Sequence, residues 1–337
     1  MKKKLLIFLL AVSAAAGCSE TDGQSAAGKP AEKAETAEMA DSAVAFADTK
    51  KEKQIPAVET PITEESGFKF THIHGLGIAA EDEAVYVPSH RGLKIFRNGR
   101  WSKGAGAPHD YMGFSMVDDG FYSSGHPAAE TELADPFGIV RSTDHGESLA
   151  LLDLFGEVDI HLMAAGYHSH TLYVVNPQPN TRMDYAGVFY SEDDSATWTQ
   201  SQAEGLAGRL TSIAAHPEDG GVVAIGTDKG LFLSENFGKS FETVSDMPTT
   251  AVAFTADGRL LAASTEKDPI IMSYHPDSGK QVILHIPKPD SASKITYLAA
   301  DDERLFFATS AKNIFMTEDA GASWMQIADR GIALNIR

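Results

Sequence analysis

STDHGESL (142–149) is the first of four segments that repeat one pattern, followed by SEDDSATW (191–198), SENFGKSF (234–241) and TEDAGASW (317–324). An Asp or Asn at the third position can accept hydrogen bonds from the backbone of its own tight turn. Glycine at the fifth position supplies a positive φ, and an aromatic residue at the eighth packs into the layer below. The pattern therefore predicts a hairpin turn with a structural role. Its members are Asp144, Gly146, Asp193, Trp198, Asn236, Gly238, Asp319, Gly321 and Trp324.

The spacing of these segments predicts the fold. They start 49, 43 and 83 residues apart, and the long interval is close to two shorter ones. IIMSYHPDSGK (270–280) fits the missing turn, and LKIFRNGRW (93–101) fits a first unit without the pattern. Units of about 40 to 50 residues, built from short β-rich runs between turn residues, are typical of a β-propeller. We expect an all-β, six-bladed β-propeller over residues 66–337, with seven blades as the alternative.

The N-terminus has the features of a secretory signal: three lysines, an apolar run and small residues in MKKKLLIFLLAVSAAAGCSE. Cys18, the only cysteine, follows Ala-Ala-Gly, which resembles the lipobox of bacterial lipoproteins. The resemblance implies a signal peptide over 1–17, a lipid on Cys18 and an extracytoplasmic protein attached to a bacterial membrane. A plain signal peptide is the alternative. Residues 18–65 are almost without aromatics and predict a disordered tether.

The charge of the chain limits its partners. The formal net charge is −19, and it becomes more negative when the three lysines of the signal leave. So acidic a surface argues against electrostatic binding of nucleic acid or anionic lipid, and it is compatible with attraction of cations. We expect a monomer that contacts the membrane through its anchor, with an exported protein as a further partner.

Nine of the twelve histidines lie between residues 72 and 170. When the first and second strands of each unit are aligned on their apolar positions, several of these histidines become equivalent. The alignment matches His74, Met112 and His161; His72, Asp110 and Asp159; and His90 and His126. Residues two apart on a strand point the same way. We therefore expect all eight side chains at one mouth of the central channel.

This set predicts a transition-metal site. Imidazole suits copper, zinc, iron and nickel, and a thioether favours copper. We expect one ion, copper in the first place and zinc in the second, or else a small polar ligand. Further residues are expected either to support the ligands from behind or simply to lie near them: His109, Met116, Met163, His168 and His170. The remaining histidines are expected at the surface: His145, His216, His275 and His285.

The repeated segments resemble the Asp-box (BNR repeat) of sialidases, sortilins and photosystem assembly factors. Ser195 in place of glycine and Leu149 in place of tryptophan depart from that pattern. THIHGLGI, SHRGL, MGF, SGHP and DIHLMA, with the lipobox, resemble a narrower family of exported bacterial lipoproteins called glycosylhydrolase-like. The resemblance covers residues 68–335. It implies either glycoside hydrolysis or a non-enzymatic role as a protein-binding assembly scaffold, since fold alone does not supply function.

The residues give weak support to an enzyme. A sialidase-like site needs three arginines, and only Arg209 stands at a comparable position. Glycosidases in general need two carboxylates about 5–10 Å apart, and Asp110 with Asp159 is the pair that fits. Their histidine neighbours suit a metal better. We therefore expect metal handling, or assistance in assembling an exported metalloprotein, with a glycoside hydrolase and a binding scaffold as alternatives.

Overall fold

The computed structural model describes residues 69–264, 268–288 and 293–336, together with the two-residue strand β1 (Thr60–Pro61). All of these residues fall within the unit Ala45–Arg337. The predicted signal peptide, Cys18 and most of the predicted tether lie outside the described residues. Within the described part, a helix with the length and apolar character needed to cross a bilayer is not found.

The described strands form six antiparallel sheets, numbered here as blades 1 to 6 in chain order. Blade 1 contains β2 (Gly77–Ala79), β3 (Ala84–Ser89), β4 (Gly92–Arg97) and β5 (Arg100–Lys103). Blade 2 contains β6 (Asp110–Val117), β7 (Gly120–His126), β8 (Ile139–Ser142) and β9 (Ala150–Asp153). Blade 3 contains β10 (Met163–Ala165), β11 (Leu172–Asn176), β12 (Gly187–Ser191) and β13 (Thr199–Gln200).

The second half of the chain supplies the other three sheets. Blade 4 contains β14 (Leu210–Ala215), β15 (Val223–Thr227), β16 (Gly230–Ser234) and β17 (Glu242–Ser245). Blade 5 contains β18 (Thr249–Phe254), β19 (Leu260–Ser264), β20 (Ile270–His275) and β21 (Lys280–Leu284). Blade 6 contains β22 (Ile295–Ala300), β23 (Leu305–Thr309), β24 (Ile314–Thr317), β25 (Met325–Asp329) and β26 (Ile332–Asn335), with β1 paired to β26.

The six sheets form a ring in which the first strand of each blade packs against the first strands of its two neighbours. Second strands such as β15 and β19 are buried along their whole length, because a neighbouring blade covers each of their faces. Fourth strands such as β9 and β17 are half-buried or exposed. With only strands, turns and irregular segments among the described residues, the fold confirms the predicted all-β, six-bladed β-propeller.

The ring closes through contacts between blades 6 and 1. The Trp101 indole N–H donates to the Ile327 carbonyl at 2.8 Å, and the Trp101 backbone N–H donates to Asn335 Oδ1 at 3.0 Å. The Ile336 N–H donates to the Gly99 carbonyl at 2.9 Å. A buried cluster that includes Phe70 and Trp101 continues this contact into the core. The final hairpin therefore joins the two ends of the propeller.

The four repeated segments lie in the turns between the third and fourth strands of blades 2, 3, 4 and 6. In the first, Asp144 accepts the Ser148 backbone N–H at 2.9 Å, and the Gly146 N–H donates to Ser142 Oγ at 2.8 Å. The other three segments repeat both bonds, with Asp193, Asn236 and Asp319 in place of Asp144. In all four segments the residues at the fourth and fifth positions both have positive φ, whereas a positive φ was expected only at the fifth position.

The first strands of blades 1 and 3 are shorter than the sequence pattern predicts. β2 begins at Gly77 rather than near residue 72, and β10 begins at Met163 rather than near residue 159. In blade 3 the cause is the neighbouring blade: Ile160 O accepts the Gly113 N–H at 3.1 Å, and the Ile160 N–H donates to Ser124 Oγ at 3.0 Å. Ile160 thus bonds to blade 2 instead of to β11.

Candidate metal-binding site

A cavity of about 540 Å³ opens where the first strands of the blades begin. Its lining includes His74, Met112 and His161 from blades 1 to 3, and Thr211 and Thr250 from blades 4 and 5. The first three are the positions that the sequence alignment made equivalent. The cavity therefore occupies the predicted mouth of the channel, and three of the eight predicted ligands line it.

Four of the predicted residues form a first group, named here the His74 group: His72, His74, His90 and Asp110. His90 bridges its members, since its Nδ1 is 2.6 Å from Asp110 Oδ2 and its Nε2 is 2.7 Å from His72 Nδ1. The His74 and His90 rings meet edge-on with centroids 4.6 Å apart. Three imidazoles and one carboxylate from blades 1 and 2 thus lie in one connected group, in which His74, His90 and Asp110 are close together and His72 contacts His90.

His74 is the most deeply buried imidazole of this group, with 11% of its side chain exposed. Its Nε2 and the Oδ1 of Asp110 are both buried and make no hydrogen bond among the described residues, although they lie 3.5 Å apart. Burial lowers the His74 pKa to about 4, against the opposing effect of the Asp110 carboxylate. His74 is therefore a neutral imidazole at pH 7, with a nitrogen lone pair available to a ligand.

Three more predicted residues form a second group around Asp159: His126, Asp159 and His161. Asp159 Oδ2 is 2.5 Å from His161 Nε2 and 3.3 Å from His126 Nε2. His126 Nδ1 in turn bonds to Asp135 Oδ1 at 2.6 Å, and this bond raises the His126 pKa. The Asp159 group is more exposed than the His74 group, since 60% of the His161 side chain is accessible.

Asp135 was missed by the sequence analysis. It lies in the segment between β7 and β8, nine residues from His126, and the strand pattern gives no reason to bring the two together. Met112 lines the cavity beside both groups. The eight predicted residues thus share one end of the propeller, but they form two groups rather than a single ring of ligands.

The five residues expected to support the ligands or to lie near them have other positions. His109 is buried and accepts the Ala128 N–H at 3.1 Å, and Met116 and Met163 are buried in the core. His168 and His170 both bond to Asp118, in the turn that joins β6 to β7 at the end away from Asp110. That separation corrects their proposed role, because β6 places eight residues, about 26 Å of strand, between the two ends.

The group at the far end also contains Asp119 and Arg141, whose guanidinium donates to Asp119 Oδ2 at 2.6 Å. An arginine therefore already supplies a positive charge there. Of the four histidines expected at the surface, His285 is exposed and the others are half-buried. His216 packs against Phe254, and burial lowers its pKa.

Comparison with known proteins supports the fold and a distant relationship to glycoside hydrolases. No family model matches the chain. A xyloglucanase of Paenibacillus is 27% identical over 216 residues, which is 55% of this chain and 20% of the xyloglucanase. The chain thus spans about a fifth of that relative's length. A GH74 enzyme of Niastella koreensis superposes with a TM-score of 0.50 at 14% identity, over 77% of this chain and 45% of the enzyme.

A solved structure of YCF48 bound to D1 peptide is also similar, with a TM-score of 0.49 and 16% identity over 84% of this chain and 90% of that one. At such identities the structural matches describe the fold alone. The chain is a six-bladed β-propeller with structural neighbours that include GH74 enzymes and YCF48.

Proposed function

We propose that this protein binds one transition-metal ion, copper in preference to zinc, in the His74 group at the mouth of the propeller. One observation carries the proposal: His74 Nε2 and Asp110 Oδ1 are buried, lack hydrogen-bond partners among the described residues and lie 3.5 Å apart. Buried polar atoms are nearly always satisfied, so two adjacent orphans call for a ligand. A cation satisfies both at once, because each atom presents a lone pair.

The separation of these two atoms suits a shared ion. Zinc binds histidine nitrogen and carboxylate oxygen at about 2.0–2.2 Å in a tetrahedral site, which places two such ligands roughly 3.3–3.5 Å apart. His90 lies beside this pair, and one ligand atom each from His74, His90 and Asp110 lies within 4.8 Å of the others, a cluster compact enough to hold one ion after small side-chain adjustments. His74, His90 and Asp110 are thus the core ligands, with His72 next to them.

Protonation favours binding at neutral pH. A metal ligand must be deprotonated, and a proton on the imidazole competes with the ion. Because burial holds the His74 pKa near 4, His74 needs to lose no proton when the metal binds at pH 7. The Asp159 group and Met112 flank this centre, and His161 and Met112 line the cavity with His74.

The biological setting follows from the N-terminus. A lipid on Cys18 and the tether over 18–65 hold the propeller at the outer side of a bacterial membrane. A metal site on a membrane-anchored, extracytoplasmic protein serves metal handling or delivery to an exported metalloprotein partner. This setting rests on the lipobox resemblance and on the acidic surface of the chain.

Metal analysis tests the proposal. Protein purified without chelator should contain about one equivalent of copper or zinc, and metal-free protein should bind Cu²⁺ with one site by isothermal titration calorimetry. His74→Ala should weaken binding at least tenfold, in the range that loss of a supporting group costs a metal site. His216→Gln, a half-buried histidine outside the cavity, is the matched control. Equal metal binding by His74→Ala and the control would refute the proposal.

A glycoside hydrolase is the second candidate, favoured by the similarity to a xyloglucanase. Asp110 and Asp159 would be its carboxylate pair, since both carboxylates lie at the mouth of the propeller. Release of reducing ends from xyloglucan, lost in both Asp110→Asn and Asp159→Asn, would establish this activity. Turnover that survives both substitutions would exclude this pair as the catalytic groups.

A further inference from the structure

The two sides of the cavity differ in chemistry. Blades 1 and 3 contribute imidazoles and blade 2 contributes the thioether of Met112, whereas blades 4 to 6 contribute hydroxyl groups, which are named here the hydroxyl wall: Thr211, Thr250 and Thr296. Two basic residues also line the cavity on this side, Arg209 and Lys294. Both are exposed at the rim. A bare ion in the His74 group would leave this opposite side without any ligand.

The hydroxyl wall accepts hydrogen bonds. Thr211 Oγ1 donates its hydrogen to the Thr249 carbonyl at 2.6 Å. Thr250 Oγ1 and Thr296 Oγ1 donate to carbonyls of their neighbouring strands, each at 3.3 Å. The short bond commits the hydrogen of Thr211 to the backbone, and the longer bonds of Thr250 and Thr296 point their hydrogens the same way, so the three hydroxyls present lone pairs to a ligand. The complementary ligand therefore carries O–H or N–H donors.

Arg209 and Lys294 favour a ligand that also carries negative charge. They are the two basic residues that line the cavity among the described residues, in a chain whose net charge is −19. Asp228 also lines this side, and its Oδ1 is engaged by the Arg209 backbone N–H at 2.9 Å. A guanidinium and an ammonium at one rim match carboxylate groups. The ligand that suits this side has both hydroxyl donors and anionic groups.

The size of the cavity agrees with a molecule rather than an ion. Its volume of about 540 Å³ falls in the range of small-molecule pockets, about 300–1,000 Å³. One water accounts for about 30 Å³ of liquid, so an ion and its hydration shell would fill only a part of the space. The remainder is large enough for an organic chelator.

Building on the proposed function, we propose that the site takes its metal as a complex with a small hydroxycarboxylate. The ion lies at His74 and Asp110, the carboxylates face Arg209 and Lys294, and the hydroxyls donate to the hydroxyl wall. The side chains on the two sides of the cavity then each contact a different part of one ligand. The chemical class is a polyhydroxylated or hydroxylated organic acid that chelates a divalent ion, of which citrate is a convenient probe.

Isothermal titration of the metal-free protein tests the inference with three probes: Cu²⁺ alone, citrate alone and the preformed Cu²⁺–citrate complex. The key variant is Arg209→Gln/Lys294→Gln, and the matched control is Arg100→Gln/Lys239→Gln, which removes two exposed basic groups from the opposite end. We expect the key variant to bind Cu²⁺ like the wild type and to bind the complex about tenfold more weakly, since two exposed ion pairs are lost. The control should match the wild type for all probes.

A second variant checks the hydroxyl wall independently. Thr250→Val keeps the shape of the side chain and removes one acceptor, so it should weaken binding of the complex and leave binding of Cu²⁺ alone unchanged. Removal of the ion by citrate from the wild type and the key variant alike would overturn the inference and leave the proposed function standing. Failure of Cu²⁺ alone to bind, with the complex still bound, would instead refute the site for the bare ion and support the chelate.

Discussion

His74 and Ser195 each have a buried polar atom without a hydrogen-bond partner among the described residues, but the two atoms have different consequences. His74 Nε2 lies beside a second orphan, Asp110 Oδ1, at the edge of a cavity, and a bound cation would satisfy both. Ser195, which is 1% exposed, lies inside a hairpin turn and is not among the residues that line that cavity. The His74 atom supports the proposed metal site, whereas the Ser195 atom belongs to a residue with an unfavourable backbone conformation.

Ser195→Gly should stabilise the protein. Ser195 occupies the position of glycine in the repeated turn and has φ of 65°, a left-handed conformation that costs a side-chain-bearing residue about 1–2 kcal/mol. Glycine relieves this cost and removes the unsatisfied hydroxyl, and it loses roughly 0.5–1 kcal/mol through greater entropy of the unfolded chain. We expect a net gain of about 1 kcal/mol in urea denaturation.

Gly146→Ser is the reciprocal control for the Ser195 prediction, since it introduces a side chain at the equivalent position of blade 2, where φ is 94°. Gly146→Ser should lower the free energy of unfolding of the protein by a similar amount. A destabilised Ser195→Gly protein would show that the serine contributes contacts that outweigh its backbone strain.

His74 should make metal-free stability depend on pH. Its pKa is about 4 in the folded protein against an ordinary value of 6.5, so between these values the unfolded chain takes up a proton that the folded protein does not. Stability is therefore retained above about pH 6.5 and falls as the pH decreases to about 4, by about 3 kcal/mol in total. His74→Gln should flatten this dependence in urea denaturation at a series of pH values.

His285→Gln is the matched control for the pH prediction, because His285 is exposed and lies outside the cavity. Its pH profile should follow that of the wild type. A His74→Gln profile with the wild-type slope would mean that other groups, and not His74, take up the proton on unfolding.

At the scale of single elements, the turns were predictable from sequence and two of the first strands were not. The four repeated turns form the same bonds even where Asn236 replaces Asp and Ser195 replaces Gly, because each bond needs only an acceptor or a backbone N–H. The start of β10 depended on partners in another blade. Ile160 bonds to Gly113 and Ser124, contacts that no local pattern encodes.

The contact between β5 and the final hairpin should control ring closure. Trp101→Phe keeps an aromatic ring beside Phe70 and Phe96 but leaves the Ile327 carbonyl without its 2.8 Å donor. An unsatisfied buried carbonyl costs about 1–3 kcal/mol, and the smaller ring adds a packing loss. We expect a loss of about 2–3 kcal/mol in denaturant unfolding.

Trp198→Phe is the matched control for Trp101, since the Trp198 indole also donates a hydrogen bond, to Asp153 at 3.0 Å, but from a half-buried position away from the closure. Water can replace that bond, so the loss should be smaller. Equal losses in the free energy of unfolding of the two variants would show that the Trp101 contact at the ring closure contributes no more to stability than the Trp198 contact does.

At the scale of the whole molecule, the period of the sequence predicted the architecture because each blade of a propeller is a repeated unit. The gathering of His72, His74, His90 and Asp110 was also predictable, since it requires only equivalent positions in successive blades. The separate Asp159 group was not predictable. The bond of His126 to Asp135 and the bond of Ile160 to Ser124 are contacts that the repeat pattern does not encode. The hydroxyl wall was missed because threonine at these positions carries no sequence signal of a ligand.

Metal binding should stabilise the entire propeller, because the proposed ligands come from two blades: His74 and His90 from blade 1 and Asp110 from blade 2. A ligand that binds only the folded state adds about 2.7 kcal/mol at a hundred times its Kd. For a domain of this size, each kcal/mol raises Tm by roughly 2–4 °C. Cu²⁺ at that concentration should therefore raise Tm by about 5–10 °C in a thermal melt, whereas Mg²⁺, which prefers oxygen ligands, should leave it unchanged. A chelator should reverse the shift, and His74→Ala, with binding at least tenfold weaker, should reduce it by about half or more. A rise of equal size in His74→Ala would place the stabilising ion elsewhere on the acidic surface and would contradict binding between the two blades.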